Sequence, residues 1–305
     1  MKESNELRLP YSSDALPACW ELRCCLDPEK MIAYDAFFKK YAKDKTIIDL
    51  GSGSGVMGWL AYKYGAKKVY CVEYVEKYIP VIEKMLEEYP QTEIIHGDAS
   101  KIQFPEADII IHEIFGHNVI DEYIIPISRN IHKQGMLDKV TPKKIEWVQF
   151  KAEWIKYSDY HIEHDLNDFP ESMNEFLTLY SEKVEDWTET NSKYEAWIDT
   201  SLEVNDLQTI GYTDLTKIDL INHVPYKLSV LKKTDKKENK QDIEEKFGWY
   251  AYLDEEIKFS NILRQGNNWT MMPGGRGPFN RFIKEAEFNE NINPLATGAQ
   301  CQFLV

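Results

Sequence analysis

A glycine-rich segment between two apolar stretches places the strongest constraint on how this chain can fold. Residues 47–55 read Ile-Ile-Asp-Leu-Gly-Ser-Gly-Ser-Gly, so a β-branched stretch ends near an acidic residue and continues into alternating glycines. A helical pattern follows, and a second apolar stretch, residues 68–73, ends on Glu73. Glycines allow a tight turn close to a ligand, and a carboxylate about 20 residues on can accept hydrogen bonds from ribose hydroxyls. The unit therefore predicts a site for a nucleoside-containing cofactor.

The rest of the first half alternates between predicted strands and helices. Apolar residues of the segment 28–43 recur on one helical face, and the segment 107–113 is almost wholly apolar, as strands buried on both faces are. This alternation predicts an α/β fold with a doubly wound parallel sheet. The predicted strands are 46–50, 68–73, 94–96 and 107–113, and the predicted helices are 28–43, 55–65 and 76–88.

The pattern changes near residue 142. From Lys144 the chain becomes strand-rich and aromatic, and residues 247–253 alternate as half-buried strands do. Residues 157–200 are polar and partly helical, which favours an inserted arm over core, and the charged segment 232–246 predicts an exposed loop. We therefore expect a cofactor domain over 31–143 and a mainly antiparallel β domain over 144–305, with an arm at about 157–200.

The charge and length of the chain limit the classes of partner. The 305 residues allow two domains with hydrophobic cores, and a hydrophobic content of 43% is typical of a folded protein. The formal charge of −15 argues against nucleic acid, because phosphate binding needs clustered Lys and Arg. A negative surface would suit a cationic substrate, although solubility alone also explains it.

Cysteine usage and targeting features predict a cytoplasmic protein without a metal site. The five cysteines form no Cys-x-x-Cys pair, so neither a disulfide framework nor a zinc site is expected. The N-terminus is polar, and no stretch approaches the ~20 apolar residues of a membrane helix. His161, Glu163 and His164 have a metal-like spacing but no fourth partner, so a solvated polar face is the better interpretation.

Two cofactors compete for the glycine segment. Residues 53–58 fit Gly-x-Gly-x-x-Gly, the dinucleotide fingerprint, which is a weak signal by itself. Asp49, two residues before Gly51, would instead meet a positively charged amino group. Asp98 follows the third strand and could reach an adenine amino group, although a Gly-Asp turn explains it about equally well. The combination favours S-adenosylmethionine over NAD.

Two glutamates bracket the loop after the fourth strand. Glu113 and Glu122 enclose a Gly-containing segment at the carboxyl end of that strand, where catalytic residues of such sheets collect. Paired carboxylates suit a guanidinium, which offers forked donors. Alternatively, Glu122 caps the next helix or is solvated, and Glu113 pairs with a lysine.

Several of these segments resemble the protein arginine methyltransferase family. The spacing of Glu113 and Glu122 is similar to that of the family's substrate-binding glutamates, and residues 65–73 resemble its motif before the ribose-binding acid. The likeness spans roughly residues 11–275. The other segments that carry it are Asp27-Pro-Glu-Lys30 with Tyr34, Tyr11, residues 248–254, Phe259-Ser260 and residues 267–269.

The resemblance implies methyl transfer from S-adenosylmethionine to a guanidinium nitrogen of arginine in a protein or peptide. It also implies an N-terminal cofactor-covering segment over 1–30, a Rossmann-like domain, a β-barrel-like domain and a helical arm that forms a homodimer. The implied catalytic residues are Glu113, Glu122, Asn268 and Trp269. The implied cofactor-binding residues are Tyr11, Lys30, Asp49, Gly51, Gly53, Gly55, Glu73, Asp98 and Ala99.

The sequence departs from the family pattern at three positions. Asn268 replaces a loop histidine that helps fix the active-site geometry. Lys30 replaces an arginine that grips the cofactor carboxylate, which keeps the charge but loses the fork. Ile124 stands where many members carry a methionine that influences the product, so mono- or dimethylation is open. The alternatives are a methyltransferase for a small guanidine, amine or hydroxyl compound, an NAD-dependent oxidoreductase, and a catalytically silent binding protein.

Overall fold

The computed structural model describes residues 28–115, 124–155, 169–184, 201–214, 216, 243–260, 262–265 and 268–271. Two predicted site residues, Tyr11 and Glu122, lie outside these ranges, as do the histidines of the metal-like spacing and the charged segment 232–246. Within the described part of the chain, no helix has the length and apolar character needed to cross a membrane.

The first part of the chain forms a five-stranded sheet with strand order β3-β2-β1-β4-β5. Every neighbouring pair is parallel, which confirms the predicted Rossmann-like α/β fold. The central strand β1 is buried, because its residues Ile47, Ile48 and Leu50 are covered on both faces. The elements are α1 (Pro28–Tyr41), β1 (Thr46–Leu50), α2 (Val56–Lys63), β2 (Lys68–Glu73), α3 (Ile79–Met85), β3 (Glu93–His96), β4 (Ile109–His112), α4 (Ile124–Lys133) and β5 (Val140–Thr141).

A second sheet begins directly after the first. It has six strands in the order β10-β11-β7-β6-β8-β9, and its paired strands are antiparallel, as predicted for this half. Its closure into a barrel stays a prediction. The strands are β6 (Lys144–Ile155), β7 (Ser201–Asp214), β8 (Ile243–Tyr252), β9 (Lys258–Ser260), β10 (Ile262–Gln265) and β11 (Asn268–Met271).

One expectation about the segment 157–200 is wrong for its central part. Residues Glu171–Lys183 form helix α5, whose apolar face is buried in the main core rather than excluded from it. Met173, Phe176 and Tyr180 are fully buried, and the Phe176 ring contacts Trp59 of α2 edge-on. The spacing of these apolar residues is that of an amphipathic helix, which the many polar residues around them obscured.

Helix α1 connects the two sheets. The Tyr34 hydroxyl donates a buried 2.6 Å hydrogen bond to the carbonyl of His112 at the end of β4. At the other end of the helix, Lys40 and Tyr41 donate to the carboxylate of Asp254, in the turn between β8 and β9, at 2.9 and 2.8 Å. Because α1 is attached at its middle and at its C-terminal end, its position is tied to the parallel sheet and to the antiparallel sheet together.

Candidate functional site

The carboxyl ends of β1, β2 and β4 meet at one edge of the parallel sheet. Leu50, the last residue of β1, is in register with Val72 of β2 and with His112 of β4. The loops that follow therefore emerge side by side, and they contain most of the predicted site residues that the structure describes. This edge is where ligands bind in open α/β sheets.

The glycine loop adopts a conformation that only glycine accepts readily. Gly51, Gly53 and Gly55 have φ values of 71°, 48° and 80°, in the left-handed region. Gly55 directly precedes α2, so the loop delivers its backbone N–H groups to the start of that helix. The predicted turn is therefore present, and its backbone is open to a ligand on the side of Gly51, which is exposed.

Glu73 ends β2 and closes against the glycine loop. Its Oε2 accepts a 2.9 Å hydrogen bond from the Gly53 N–H, and its Oε1 accepts a 2.7 Å hydrogen bond from the Val75 N–H. The side chain is buried, and burial raises its pKa despite these hydrogen bonds. Each carboxylate oxygen can accept a further bond, so Glu73 remains able to hold hydroxyl groups.

Asp49 is a buried carboxylate at this edge whose pKa is raised. The residue is 1% exposed, and its Oδ2 has no hydrogen-bond partner among the described residues. Burial, with the nearby negative charge of Glu73 adding to it, raises the pKa of Asp49 to about 7. A buried carboxylate of this kind is stabilised by a positively charged partner, and the described residues provide none at Oδ2.

Asp98 occupies the turn after β3, and its carboxylate is used within that turn. Oδ1 accepts hydrogen bonds from the N–H and the hydroxyl of Ser100 at 2.9 and 2.6 Å, and Oδ2 lies 2.9 Å from the Lys101 ammonium. Although burial acts to raise it, these contacts lower the pKa of Asp98. The neighbouring Ala99 carbonyl accepts a bond from Asn130 of α4. The turn-forming role is therefore present, and an adenine contact stays a prediction.

Glu113 follows β4 and forms a buried ion pair with Lys30 of α1. The Lys30 Nζ lies 3.3 Å from Glu113 Oε1, and the two side chains are 1% and 14% exposed. Pairing with a lysine was the alternative to a substrate-binding role for Glu113, and the structure shows this pairing. It also joins two residues to which the family resemblance gave separate ligands, the cofactor carboxylate for Lys30 and the acceptor guanidinium for Glu113.

His112, which the sequence reasoning did not single out, organises the same corner. Its Nε2 donates to the carbonyl of Pro142 at 3.0 Å, and its Nδ1 accepts a 3.4 Å bond from the Ile114 N–H. Burial lowers the pKa of His112 to about 4, so the ring is neutral near pH 7. A histidine directly before the predicted catalytic glutamate was the available signal, but its partner at Pro142 is distant in sequence.

Two further predicted residues are placed by their backbone alone. Asn268 and Trp269 begin β11 and pair with Gln265 and Arg264 of β10, so they lie in a strand rather than in a loop. Trp269 is also in register with Leu202 of β7. Their proposed place beside the acceptor remains a prediction.

The site residues fit the amino-acid and nucleoside parts of S-adenosylmethionine. The unsatisfied Oδ2 of Asp49 suits a positively charged amino group, and Glu73 beside the positive-φ glycines suits ribose hydroxyls. A phosphate would meet the negative charges of both carboxylates instead. Among the residues described, no cluster of His, Cys, Asp and Glu could hold a metal ion.

Comparison with known proteins shows which families this chain is similar to. Residues 31–138, about a third of the chain, match the model of the ribosomal protein L11 methyltransferase (PrmA) family. An uncharacterized protein of Methanocaldococcus jannaschii is 31% identical over 156 residues, which are 46% of this chain and 58% of that protein. Protein arginine N-methyltransferase 1 of Schizosaccharomyces pombe is 27% identical over 133 residues, or 38% of each chain. This chain thus spans less than two thirds of the relatives it matches.

Two solved structures align with most of this chain at low sequence identity. Arabidopsis thaliana protein arginine methyltransferase 10 aligns with 83% of this chain and 81% of its own, at a TM-score of 0.47 and 16% identity. The PRMT1 enzyme–prozyme complex of Trypanosoma brucei, determined with AdoHcy, aligns with 83% and 80%, at a TM-score of 0.48 and 15% identity.

The sequence matches confirm the predicted resemblance, and they favour S-adenosylmethionine over NAD, since they are to methyltransferases. Residues 31–138 are similar to a methyltransferase family, and segments that make up 38–39% of this chain are similar to protein arginine methyltransferases.

Proposed function

We propose that this protein transfers a methyl group from S-adenosylmethionine to a guanidinium nitrogen of arginine in a protein or peptide. The observation that carries the proposal is the buried Asp49 carboxylate, whose Oδ2 has no hydrogen-bond partner among the described residues. Asp49 precedes the positive-φ glycine loop, which is hydrogen-bonded to the ribose-type acid Glu73. The matches to methyltransferases support the same reaction class.

The cofactor supplies an activated methyl group on a sulfonium, so little acid–base chemistry is required of the protein. Asp49 would hold the cationic amino group, and Glu73 would hold the ribose. The backbone of the glycine loop would approach the cofactor closely, because side chains are absent there. These residues fix the donor, and positioning of donor against acceptor provides most of the rate.

Glu113 would hold the acceptor. Its carboxylate lies at the carboxyl end of β4, next to the loops of β1 and β2 that hold the cofactor residues. We propose that Glu113 and Glu122 together orient the guanidinium and draw its positive charge away from the attacking nitrogen. Asn268 and Trp269 are proposed to complete the acceptor side.

We also propose a cytoplasmic homodimer. Helix α5 is already packed on its own chain, so the dimer contact would come from the flanking parts of the segment 157–200. Most soluble oligomers are two-fold dimers. Sedimentation of the intact chain at micromolar concentration tests the assembly, and a monomer there contradicts it. Fractionation of cells that express the protein tests the location.

Two measurements test the activity. Calorimetric titration should show binding of S-adenosylhomocysteine and none of NAD, and Glu73→Gln should weaken binding whereas Glu76→Gln, an exposed neighbour, should not. Incubation with labelled S-adenosylmethionine and an arginine-containing peptide library or a cell extract, followed by mass spectrometry, should reveal methylarginine.

The outcomes separate the alternatives. Tight NAD binding without S-adenosylhomocysteine binding would identify an oxidoreductase. Label only in metabolites would identify a small-molecule methyltransferase. Cofactor binding without any turnover would identify a silent binding protein.

A further inference from the structure

The ion pair between Lys30 and Glu113 places a cation of the protein itself on the carboxylate proposed to hold the acceptor. The Lys30 Nζ lies 3.3 Å from Glu113 Oε1, and the lysine side chain is 1% exposed. Two opposite charges so close together and so far from water interact strongly. Any external cation that approaches Glu113 therefore meets a carboxylate that already has an ammonium 3.3 Å from its Oε1, although that oxygen accepts no hydrogen bond among the described residues.

Helix α1 keeps the lysine in place. Tyr34, one turn after Lys30 on the same face, is hydrogen-bonded to the carbonyl of His112, the residue before Glu113. Asp35 accepts hydrogen bonds from Tyr64, the residue after α2, and from Ser172 of α5, which gives the helix a second set of contacts. Because the backbone of α1 is held by these contacts, the ammonium and the carboxylate can separate by rotation of the Lys30 or Glu113 side chain, without movement of the helix.

We infer that Lys30 is an internal competitor of the acceptor cation and sets how tightly Glu113 can hold it. This inference rests on the proposed acceptor role of Glu113. An entering guanidinium must either share Glu113 with the Lys30 ammonium, against the repulsion of two like charges, or displace it. Lys30 thereby lowers the affinity of the site for cations, so that acceptors need further contacts elsewhere to bind.

The family resemblance gives Lys30 a different role, namely binding of the cofactor carboxylate. The two roles predict different effects on acceptor affinity when the lysine charge is removed. A lysine that only grips the cofactor carboxylate would leave acceptor affinity unchanged when its charge is removed. A lysine that competes for Glu113 would raise acceptor affinity when its charge is removed, because the carboxylate then attracts an external cation without repulsion from the Lys30 ammonium.

The test measures binding of a simple guanidinium compound, Nα-acetylarginine amide, by NMR titration of the full-length protein. Lys30→Met keeps the apolar stem of the side chain and removes the charge. We expect it to bind the probe roughly tenfold more tightly than the wild type, the scale of one charge-assisted hydrogen bond. Lys40→Met is the matched control, since Lys40 lies on the same helix but pairs with Asp254.

A second substitution locates the effect. Adding Glu113→Gln to Lys30→Met should abolish the gain, because the competition is for that carboxylate. An unchanged or weaker affinity in Lys30→Met, including no binding at all, would overturn the inference, as would an equal gain in Lys40→Met. Folding of each variant is checked by circular dichroism.

Binding of S-adenosylhomocysteine to the wild type, measured alongside, keeps this inference separate from the proposed reaction. If S-adenosylhomocysteine binds and Lys30→Met shows no gain in affinity for the arginine probe, the inference fails and the methyltransferase proposal stands. If S-adenosylhomocysteine does not bind but Lys30→Met binds the arginine probe more tightly, Glu113 is a cation site in a protein with another activity.

Discussion

Replacing Asp49 by Asn should stabilise the ligand-free protein while it weakens cofactor binding. Burial raises the pKa of Asp49 from 3.8 to about 7. The folded state therefore holds this proton more tightly than the unfolded state, so stability is lost as pH rises from the unfolded pKa through the folded one. Asn has no proton to lose and avoids this cost. A shift of about 3 units corresponds to a ceiling of roughly 4 kcal/mol above pH 7.

The assay is denaturant unfolding of both proteins at pH 5 and pH 8. At pH 5 only part of the cost is present, so the advantage of Asp49→Asn should grow by roughly 2–3 kcal/mol between the two values. Other titrating groups are common to both proteins and cancel in the difference. Asp138→Asn, which removes an exposed carboxylate, is the control and should show no such growth.

The same variant should bind S-adenosylhomocysteine at least tenfold more weakly, because a charge-assisted hydrogen bond is worth about 1.5–3 kcal/mol. Stabilisation together with lost binding is the expected trade-off for a strained functional group. A pH-independent difference in stability would refute the argument that Asp49 is held at a cost. Unchanged cofactor affinity would refute its role in the site.

Further predictions concern the other carboxylates and α5. Glu73→Ala should weaken S-adenosylhomocysteine binding by about 1–3 kcal/mol in calorimetry, and tight binding to the variant would contradict the ribose role. Glu113→Gln and Glu122→Gln should each lower turnover roughly 30- to 1000-fold with cofactor affinity within a few-fold, in a radiolabel assay. If Glu122→Gln stays active, the paired-glutamate hypothesis is wrong. Phe176→Ala should destabilise by about 3–5 kcal/mol in urea unfolding, since the ring is fully buried against α2. A loss below 1 kcal/mol would show that α5 does not pack on its own chain in solution.

The parallel sheet could be predicted because its strands are short apolar segments bounded by Gly and polar residues. The structure has β1 and β2 at the predicted bounds, and the glycine loop has the positive φ values that its composition requires. Local sequence carries this information, since strand burial and turn chemistry depend on neighbouring residues. The segment that contains α5 was predicted to be partly helical, but the buried face of this helix was missed. Only its 3.6-residue periodicity, and not its overall polarity, indicates that face.

The chemistry at the end of β4 could be predicted only in part. The position of Glu113 follows from the strand, but its pairing with Lys30 and the bond between His112 and Pro142 join residues far apart in sequence. Such contacts depend on how α1 and the turn before β6 pack onto the sheet, which no local pattern specifies. The alternative that Glu113 pairs with a lysine was open from the sequence, and only the structure identifies that lysine.

Helix α1 contacts both the antiparallel sheet and the end of the parallel sheet that carries the candidate site. Asp254, in the turn between β8 and β9, accepts hydrogen bonds from Lys40 and Tyr41 and from the backbone N–H groups of Glu256 and Ile257. Although burial acts to raise it, these donors lower the pKa of Asp254 to about 2, so the carboxylate stays charged at any pH at which the protein is assayed. The other end of α1 carries Lys30. Lys30 contacts Glu113 there, so α1 has one ion pair with the residue that follows β4 and another with the turn between β8 and β9.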